Sequence, residues 1–179
     1  MIKITSGIYR SRVIQTPEEG TLPTKNRVRE AMMSMIQSSL SGARVLDLFA
    51  GSGALGIEAL SRGAKEAVFV DASPAASRIV TQNLQTLKEK RATVLTMDYQ
   101  AALTRLQGPF DVVFLDPPYA MKEAYQIAID TLLGRSLLNE ECVIIAEYEG
   151  ALDLNTEAFS SRRDYTYGKT KVVLLRRSI

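Results

Sequence analysis

The chain has 179 residues, 46% of them hydrophobic and 23% charged, with a net charge of +2 at pH 7, a balance that suits one globular domain with enough length to bury a real core. No apolar run approaches the ~18 residues a membrane-spanning helix needs, and "MIKITSGIYR" lacks the long apolar region of a secretory signal, so the expected location is the cytoplasm. Histidine is absent and cysteine occurs once, at Cys142, which excludes Ser-His-Asp triads, His-rich zinc sites and internal disulfides and leaves carboxylates, aromatics, backbone groups and a cofactor to carry any chemistry.

The first 16 residues read as a short β-hairpin turning near Gly7, followed by a loop containing glycine and proline. From Thr24 to about Ser39 the pattern is helical, with Val28, Ala31, Met32, Met35 and Ile36 on one face, a spacing that makes the methionines core packing. Residues 1–44 hold seven basic and three acidic side chains, a net +4, whereas the remainder is net −2. A basic segment on a near-neutral body is either an electrostatic patch for a polyanion or a solvated charged face.

From Arg44 onward, short apolar runs at 44–49, 66–71, 92–97, 111–116 and 142–147 alternate with helical stretches at about 53–62, 74–88, 98–106 and 121–134. Runs that are apolar without strict alternation belong to strands buried on both faces of a parallel sheet. Ser73 stands as an N-cap with Pro74 at the first helical position. The final runs, 160–168 and 169–177, meet at Gly168 as an antiparallel edge hairpin. Strands alternating with helices define βαβ units and a doubly wound α/β sheet. Cys142 lies in "CVIIA" and is expected to be a buried, inert thiol.

The stretch "DLFAGSGALGIE" (47–58) places Gly51, Gly53 and Gly56 in the spacing G-x-G-x-x-G, after a strand and at the opening of a helix. Asp71 follows 20 residues after Gly51, at the end of the next strand, where a carboxylate accepts hydrogen bonds from a ribose diol. NAD and S-adenosylmethionine (SAM) fit these features equally well. Asp47 tips the balance, because a carboxylate at the end of the first strand repels a pyrophosphate and favours an ammonium and a sulfonium; its alternative role is a helix or turn cap. Asp98, in "LTMDYQ", is placed either for an adenine amino group or as a helix N-cap. Asp47, Asp71 and Asp98 thus end successive strands along the rim where open α/β sheets bind ligands.

The fourth strand ends in "FLDPPYA", with Asp116, Pro117, Pro118 and Tyr119. Two prolines stiffen the backbone as it leaves the sheet and remove two N–H donors. A fixed carboxylate and the Pro117 carbonyl then offer two acceptors beside an aromatic face. Such a site suits a flat base with an exocyclic NH2: the acceptors take both N–H bonds, Tyr119 stacks on the ring, and the nitrogen lone pair is drawn toward an electrophile held in line.

In this order, "DLFAGSGALGIEAL", "VFVD" and "DPPY" resemble class I SAM-dependent methyltransferases acting on exocyclic amino groups. The whole chain resembles the RsmD family, through Gly7, Tyr9, Arg10 and Arg12 in "SGIYRSR", through Pro23, Thr24, Arg27, Val28, Arg29, Glu30 and Ala31 in "LPTKNRVREAM", and through the "YGKT" strand entry. The resemblance implies methyl transfer to the N2 amino group of a guanine (guanine 966) of bacterial 16S rRNA, within an assembling 30S subunit. It also implies a Rossmann-like seven-stranded sheet of order 3-2-1-4-5-7-6 with strand 7 antiparallel (residues 41–179), and a small RNA-contacting extension (1–40). Asp47, Gly51, Gly53 and Asp71 would then hold SAM, with Phe49, Ser52, Asp98 and Tyr99 completing the cofactor set. Asp116 to Tyr119 would hold the target base, and Tyr9, Arg10, Arg12, Arg27 and Arg29 would contact RNA, with no metal. "DPPY" serves adenine N6 in DNA or RNA equally well, and only the N-terminal element favours rRNA. A NAD oxidoreductase or a non-catalytic RNA-binding protein fits the same residues less well.

Overall fold

The structure, a computed structural model, describes residues 1–17 and 23–178. The chain begins with a minimal hairpin in which β1 (Ile2–Lys3) pairs antiparallel with β2 (Val13–Ile14). Between them the backbone passes Gly7 at φ +89°, where a Cβ would lie 1.8 Å from the Ser61 carbonyl oxygen. Only glycine lets the hairpin rest against the body there. The loop expected after the hairpin falls largely outside the described residues. The expected helix is present as α1 (Pro23–Met35), and its last stretch tightens into a 3-10 turn at Gln37–Ser39.

The alternating pattern that follows gives β3 (Arg44–Asp47), α2 (Ala54–Ser61), β4 (Glu66–Asp71), α3 (Pro74–Leu87), β5 (Ala92–Thr96), α4 (Tyr99–Arg105), β6 (Phe110–Leu115), α5 (Glu123–Gly134), β7 (Leu138–Glu149), β8 (Ser161–Tyr167) and β9 (Thr170–Arg176). The sheet order is β5-β4-β3-β6-β7-β9-β8, with β9 antiparallel to both neighbours. Counted within the sheet alone, this is 3-2-1-4-5-7-6 with its seventh strand antiparallel, as expected. Ser73 caps α3 by accepting from the Ala76 N–H at 3.2 Å, with Pro74 opening the helix. Among the described residues no helix is long and apolar enough to cross a membrane.

β7 is longer than the expected run at 142–147. Phe110 pairs with Leu138 and Val112 with Val143, so the polar "NEE" segment bulges out of register. The Asn139 amide donates to Asp111 Oδ1 at 2.5 Å across that irregularity. Polar residues in the bulge hid the strand's beginning from the apolar pattern.

Side-chain alternation divides the core between the two faces. Val45, Phe69, Phe114 and Ile145 pack under α1, α2 and α3 with Met32, Met33, Ile36, Leu60 and Leu84. Leu46, Val70, Leu115 and Ile144 pack under α4 and α5 with Leu103, Ile129 and Leu132. Cys142 is buried in the second cluster, and burial pushes its thiol up to about 11. Ile2, Ile4 and Ile14 join the first cluster, so the N-terminal hairpin shares the sheet's own core.

A buried carboxylate latches this extension to the body. Glu58 of α2 is fully buried and accepts from the Thr5 N–H at 2.7 Å and the Thr5 hydroxyl at 3.0 Å. The Nε atoms of Arg29 and Arg62 each stand 3.5 Å from its oxygens. Arg29 also donates to the Lys3 carbonyl at 2.9 Å, and Arg62 to the Thr5 hydroxyl at 2.8 Å. Glu58→Ala strands two buried guanidiniums, so it is expected to cost about 3–5 kcal/mol, read by urea unfolding. Early proteolysis near the N-terminus should accompany that loss.

Candidate active site

The parallel strands end on one edge, and four of those ends carry acids. Asp47, the last residue of β3, is 2% exposed and accepts from the Gly56 N–H at 3.1 Å. Gly53, at the α2 N-cap, has no side chain to satisfy that turn, so Asp47 performs the cap from the neighbouring strand. Burial pushes its carboxyl up to about 7, with the Gly56 bond opposing and the Asp71 charge adding. It lies behind the glycine loop and off the cleft wall, and so does Gly53.

The three glycines have distinct tasks. Gly51 (φ +57°) donates to Asp71 Oδ2 at 2.9 Å, and Gly53 (φ +81°) donates to the Ala50 carbonyl at 2.8 Å. With Gly56 bonded to Asp47, all three glycine N–H groups are already used. A pyrophosphate cradle needs such donors free, so these three glycine N–H groups cannot serve one. A Cβ on Gly51 would meet no atom within 4 Å, whereas one on Gly56 would lie 2.3 Å from the Phe69 ring. Gly56 therefore lets α2 approach β4, and Gly51 leaves its backbone open to the cleft.

The cleft beside this loop has a volume of about 860 Å³, and its lining includes Phe49, Gly51, Ser52 and Asp71 from the loop side. Asp71 Oδ1 accepts from the Ser73 N–H at 2.9 Å, leaving lone pairs on both oxygens. Asp98 is exposed at the cleft rim and caps α4 by accepting from the Gln100 N–H at 2.9 Å. Behind it the Phe49 and Tyr99 rings meet at 5.1 Å and 45°, an aromatic wall on which a flat ring can rest.

Asp116, Pro117, Pro118 and Tyr119 line the opposite side of the cleft. Pro117 is buried, the Pro118 carbonyl accepts from the Met121 N–H at 2.8 Å, and Tyr119 is 73% exposed with the Lys122 ammonium 5.8 Å from its ring centre. Asp116 is exposed along the cleft wall, its carboxyl group crowded by neighbouring acids. Desolvation there, reinforced by the charges of Glu147 and Asp47, holds it well above the ordinary carboxylate range; Lys25 of α1 pulls the other way. Burial raises Glu147 too, with Lys25 opposing and Glu149 reinforcing.

Leu115 pairs with Ala146, so Asp116 and Glu147 stand side by side on adjoining strands. The Tyr125 hydroxyl donates to the Glu147 backbone carbonyl at 2.5 Å and holds the strand in place. Glu147, Tyr125 and Lys25 were not singled out from the sequence. Glu147 ends the apolar run "CVIIAE" as Asp47, Asp71 and Asp116 end theirs, and the same strand-end rule finds it.

The basic residues of the extension divide by exposure. Arg10 and Arg27 are exposed, and Arg12 is exposed while donating to the Thr86 carbonyl at 3.1 Å. Tyr9 is half-buried, its hydroxyl 2.5 Å from Glu89 Oε2. Arg29 is 7% exposed, tied to Glu58 and Lys3. Tyr9 and Arg29 thus anchor the extension, and Arg10, Arg12 and Arg27 form its outward cationic surface.

Comparison with known proteins agrees with this geometry. A family model described as "Conserved hypothetical protein 95" matches residues 2–176. The Bacillus subtilis protein YlbH is 37% identical over 98% of this chain and 99% of its own. "Ribosomal RNA small subunit methyltransferase D" of Escherichia coli is 36% identical over 83% of this chain and 75% of its own. The solved structure of the Escherichia coli protein yhhF superposes with a TM-score of 0.89 at 33% identity, covering 99% of this chain and 98% of that one.

The acid edge predicts a pH signature. Asp47 binds its proton more tightly when folded (about 7) than when unfolded (about 3.9). Its contribution to stability is therefore fully present below about pH 4 and lost as pH rises through about 7. Asp47→Asn retains an acceptor for the Gly56 N–H. It is expected to flatten the fall in unfolding free energy between pH 5 and pH 8, by up to about 1.4 kcal/mol per pH unit, in chemical denaturation at both ends of that range.

Proposed function

Because the chain belongs to the family described as conserved hypothetical protein 95, we propose that it is a SAM-dependent methyltransferase acting on the N2 amino group of a guanine in 16S rRNA, within an assembling small subunit in the cytoplasm. The observation that carries this reading is the row of carboxylates that meets the glycine loop along one cleft, opposite "DPPY". The name of the Escherichia coli relative supports rRNA of the small subunit as the substrate.

The residues present fit SAM. Gly51 leaves room for a close backbone approach, and both Asp71 oxygens keep lone pairs for ribose hydroxyls. The Phe49–Tyr99 pair offers a face for adenine, with Asp98 at its edge for the amino group. Asp47, behind the loop, contributes in its ionised form a negative field for an ammonium and a sulfonium. When bound, SAM supplies an electrophilic methyl group on sulfur.

The chain's own residues do the rest. The Asp116 carboxylate and the Pro117 carbonyl accept the two amino N–H bonds, and Tyr119 stacks on the base, a contact worth roughly 1–3 kcal/mol. Holding both hydrogens turns the nitrogen lone pair out of conjugation and toward the methyl donor. The proton released on methylation passes to an Asp116 oxygen or to water. The extension, residues 1–40, presents Arg10, Arg12 and Arg27 to the phosphate backbone.

Incubation with methyl-labelled SAM and either 30S subunits, naked 16S rRNA or DNA, followed by mapping of the modified nucleotide, tests the reading. Label is expected on a guanine N2 of 16S rRNA, and label confined to DNA or to adenine would count against it. Asp116→Ala is expected to lower methyl transfer at least ~100-fold while SAM affinity, read by calorimetry, stays within a few-fold. Replacing Arg10, Arg12 and Arg27 with glutamine should weaken RNA binding and reduce the slope of log K against log salt by up to about 3, with an unchanged slope ruling out the basic surface.

A further inference from the structure

The cleft holds a second acceptor that "DPPY" chemistry leaves unused. Phe114 pairs with Ile145 and Leu115 with Ala146, so the next register position sets Asp116 against Glu147. Neighbouring strands lie about 4.8 Å apart, and Phe114 and Ile145 share one face of the sheet. Two residues further along each strand, Asp116 and Glu147 return to that same face, toward α1. Both line the cleft, together with Tyr119.

Among the described residues neither side-chain carboxylate has a hydrogen-bond or ion-pair partner, although the Tyr125 hydroxyl fixes the Glu147 backbone. Lys25 faces both groups from α1 without a hydrogen bond to either. Glu149 lies two residues further along β7, about 6.6 Å beyond Glu147, which leaves Glu147 as the acid beside Asp116.

We propose that Glu147 is the residue that selects guanine, by accepting the N1–H of the base whose N2 amino group is held by Asp116 and the Pro117 carbonyl. This rests on the function proposed above. A base taken out of its stack is read through its Watson–Crick edge. On that edge guanine offers N1–H and N2–H2 as adjacent donors, so the matching group is Glu147 in its ionised form, which only accepts and which Lys25 favours against the rise that burial gives it. Adenine presents a bare N1 lone pair next to its N6 amino group. Against that lone pair the Glu147 carboxylate finds acceptor facing acceptor, and the mismatch excludes adenine while Asp116 and Tyr119 remain indifferent. Selection by an unmatched polar group in a closed site is far stronger than selection by shape.

The test compares guanine with 2-aminopurine, which keeps the 2-amino group and has no hydrogen at N1. Each is placed at the mapped target position of 16S rRNA reconstituted into small subunits, with the full-length protein. Wild type is expected to favour guanine in kcat/KM by at least ~10-fold. In Glu147→Gln, whose amide can donate to a bare N1, that ratio is expected to fall at least ~10-fold, with SAM affinity unchanged. An unchanged ratio, even with both rates reduced, would overturn the inference and make Glu147 a structural residue. Glu147→Asp keeps the charge but shortens the reach; it is expected to lose at least ~10-fold in guanine kcat/KM, and a wild-type rate would also overturn the inference. Label mapping to adenine in wild type would defeat the functional reading and this inference together, whereas label on guanine with an unchanged ratio would defeat only this inference.

Discussion

A row of carboxyl groups at the carboxyl edge of the sheet is the constraint around which the rest of this molecule is arranged. A parallel sheet delivers its strand ends to one rim, and here β3 and β4 end in Asp47 and Asp71, Asp116 follows β6, and Glu147 stands two residues before the end of β7. Desolvation, with repulsion from neighbouring acids, lifts Asp47, Asp116 and Glu147 above their ordinary range, and Lys25 opposes the rise of the last two. Such a site is pre-shaped for groups that bring positive charge or N–H donors. The glycine loop matches it, because its glycine N–H groups are already satisfied by Asp71, Ala50 and Asp47.

Helix α2 links this edge to the N-terminal extension. Its first turn is capped by Asp47 through Gly56, and two residues later Glu58 grips Thr5, Arg29 and Arg62. A single helix thus orients the glycine loop and holds the hairpin that carries Arg10 and Arg12. The hairpin buries Ile2, Ile4 and Ile14 in the sheet's core, so the outward basic surface stands in fixed relation to the cleft.

The apolar runs and their spacing made the sheet and its helices legible in the sequence, since each strand buries residues on both faces. The glycine spacing, Asp71, Asp98 and "DPPY" were legible for the same reason: their positions at strand ends are a matter of counting. Other features depended on contacts distant in the chain. Nothing local reveals that Glu58 is buried beneath Thr5, or that Arg29 serves that ion pair. Polar residues mask the bulge that lengthens β7, and in the sequence Glu147 reads only as the end of an apolar run. Asp47 and Asp98 each had two open roles, and the structure shows the capping role of both directly.

On the function proposed above, this cleft takes a cationic adenosine cofactor and rejects a dinucleotide. Calorimetric titration with SAM and with NAD at pH 7, in two buffers of different ionisation enthalpy, tests it most directly. A cation bound beside carboxylates with raised pKa values lowers them. SAM should therefore bind with net release of protons, seen as a buffer-dependent heat, and NAD should give no saturable heat. Saturable NAD binding, or SAM binding without proton release, would contradict it.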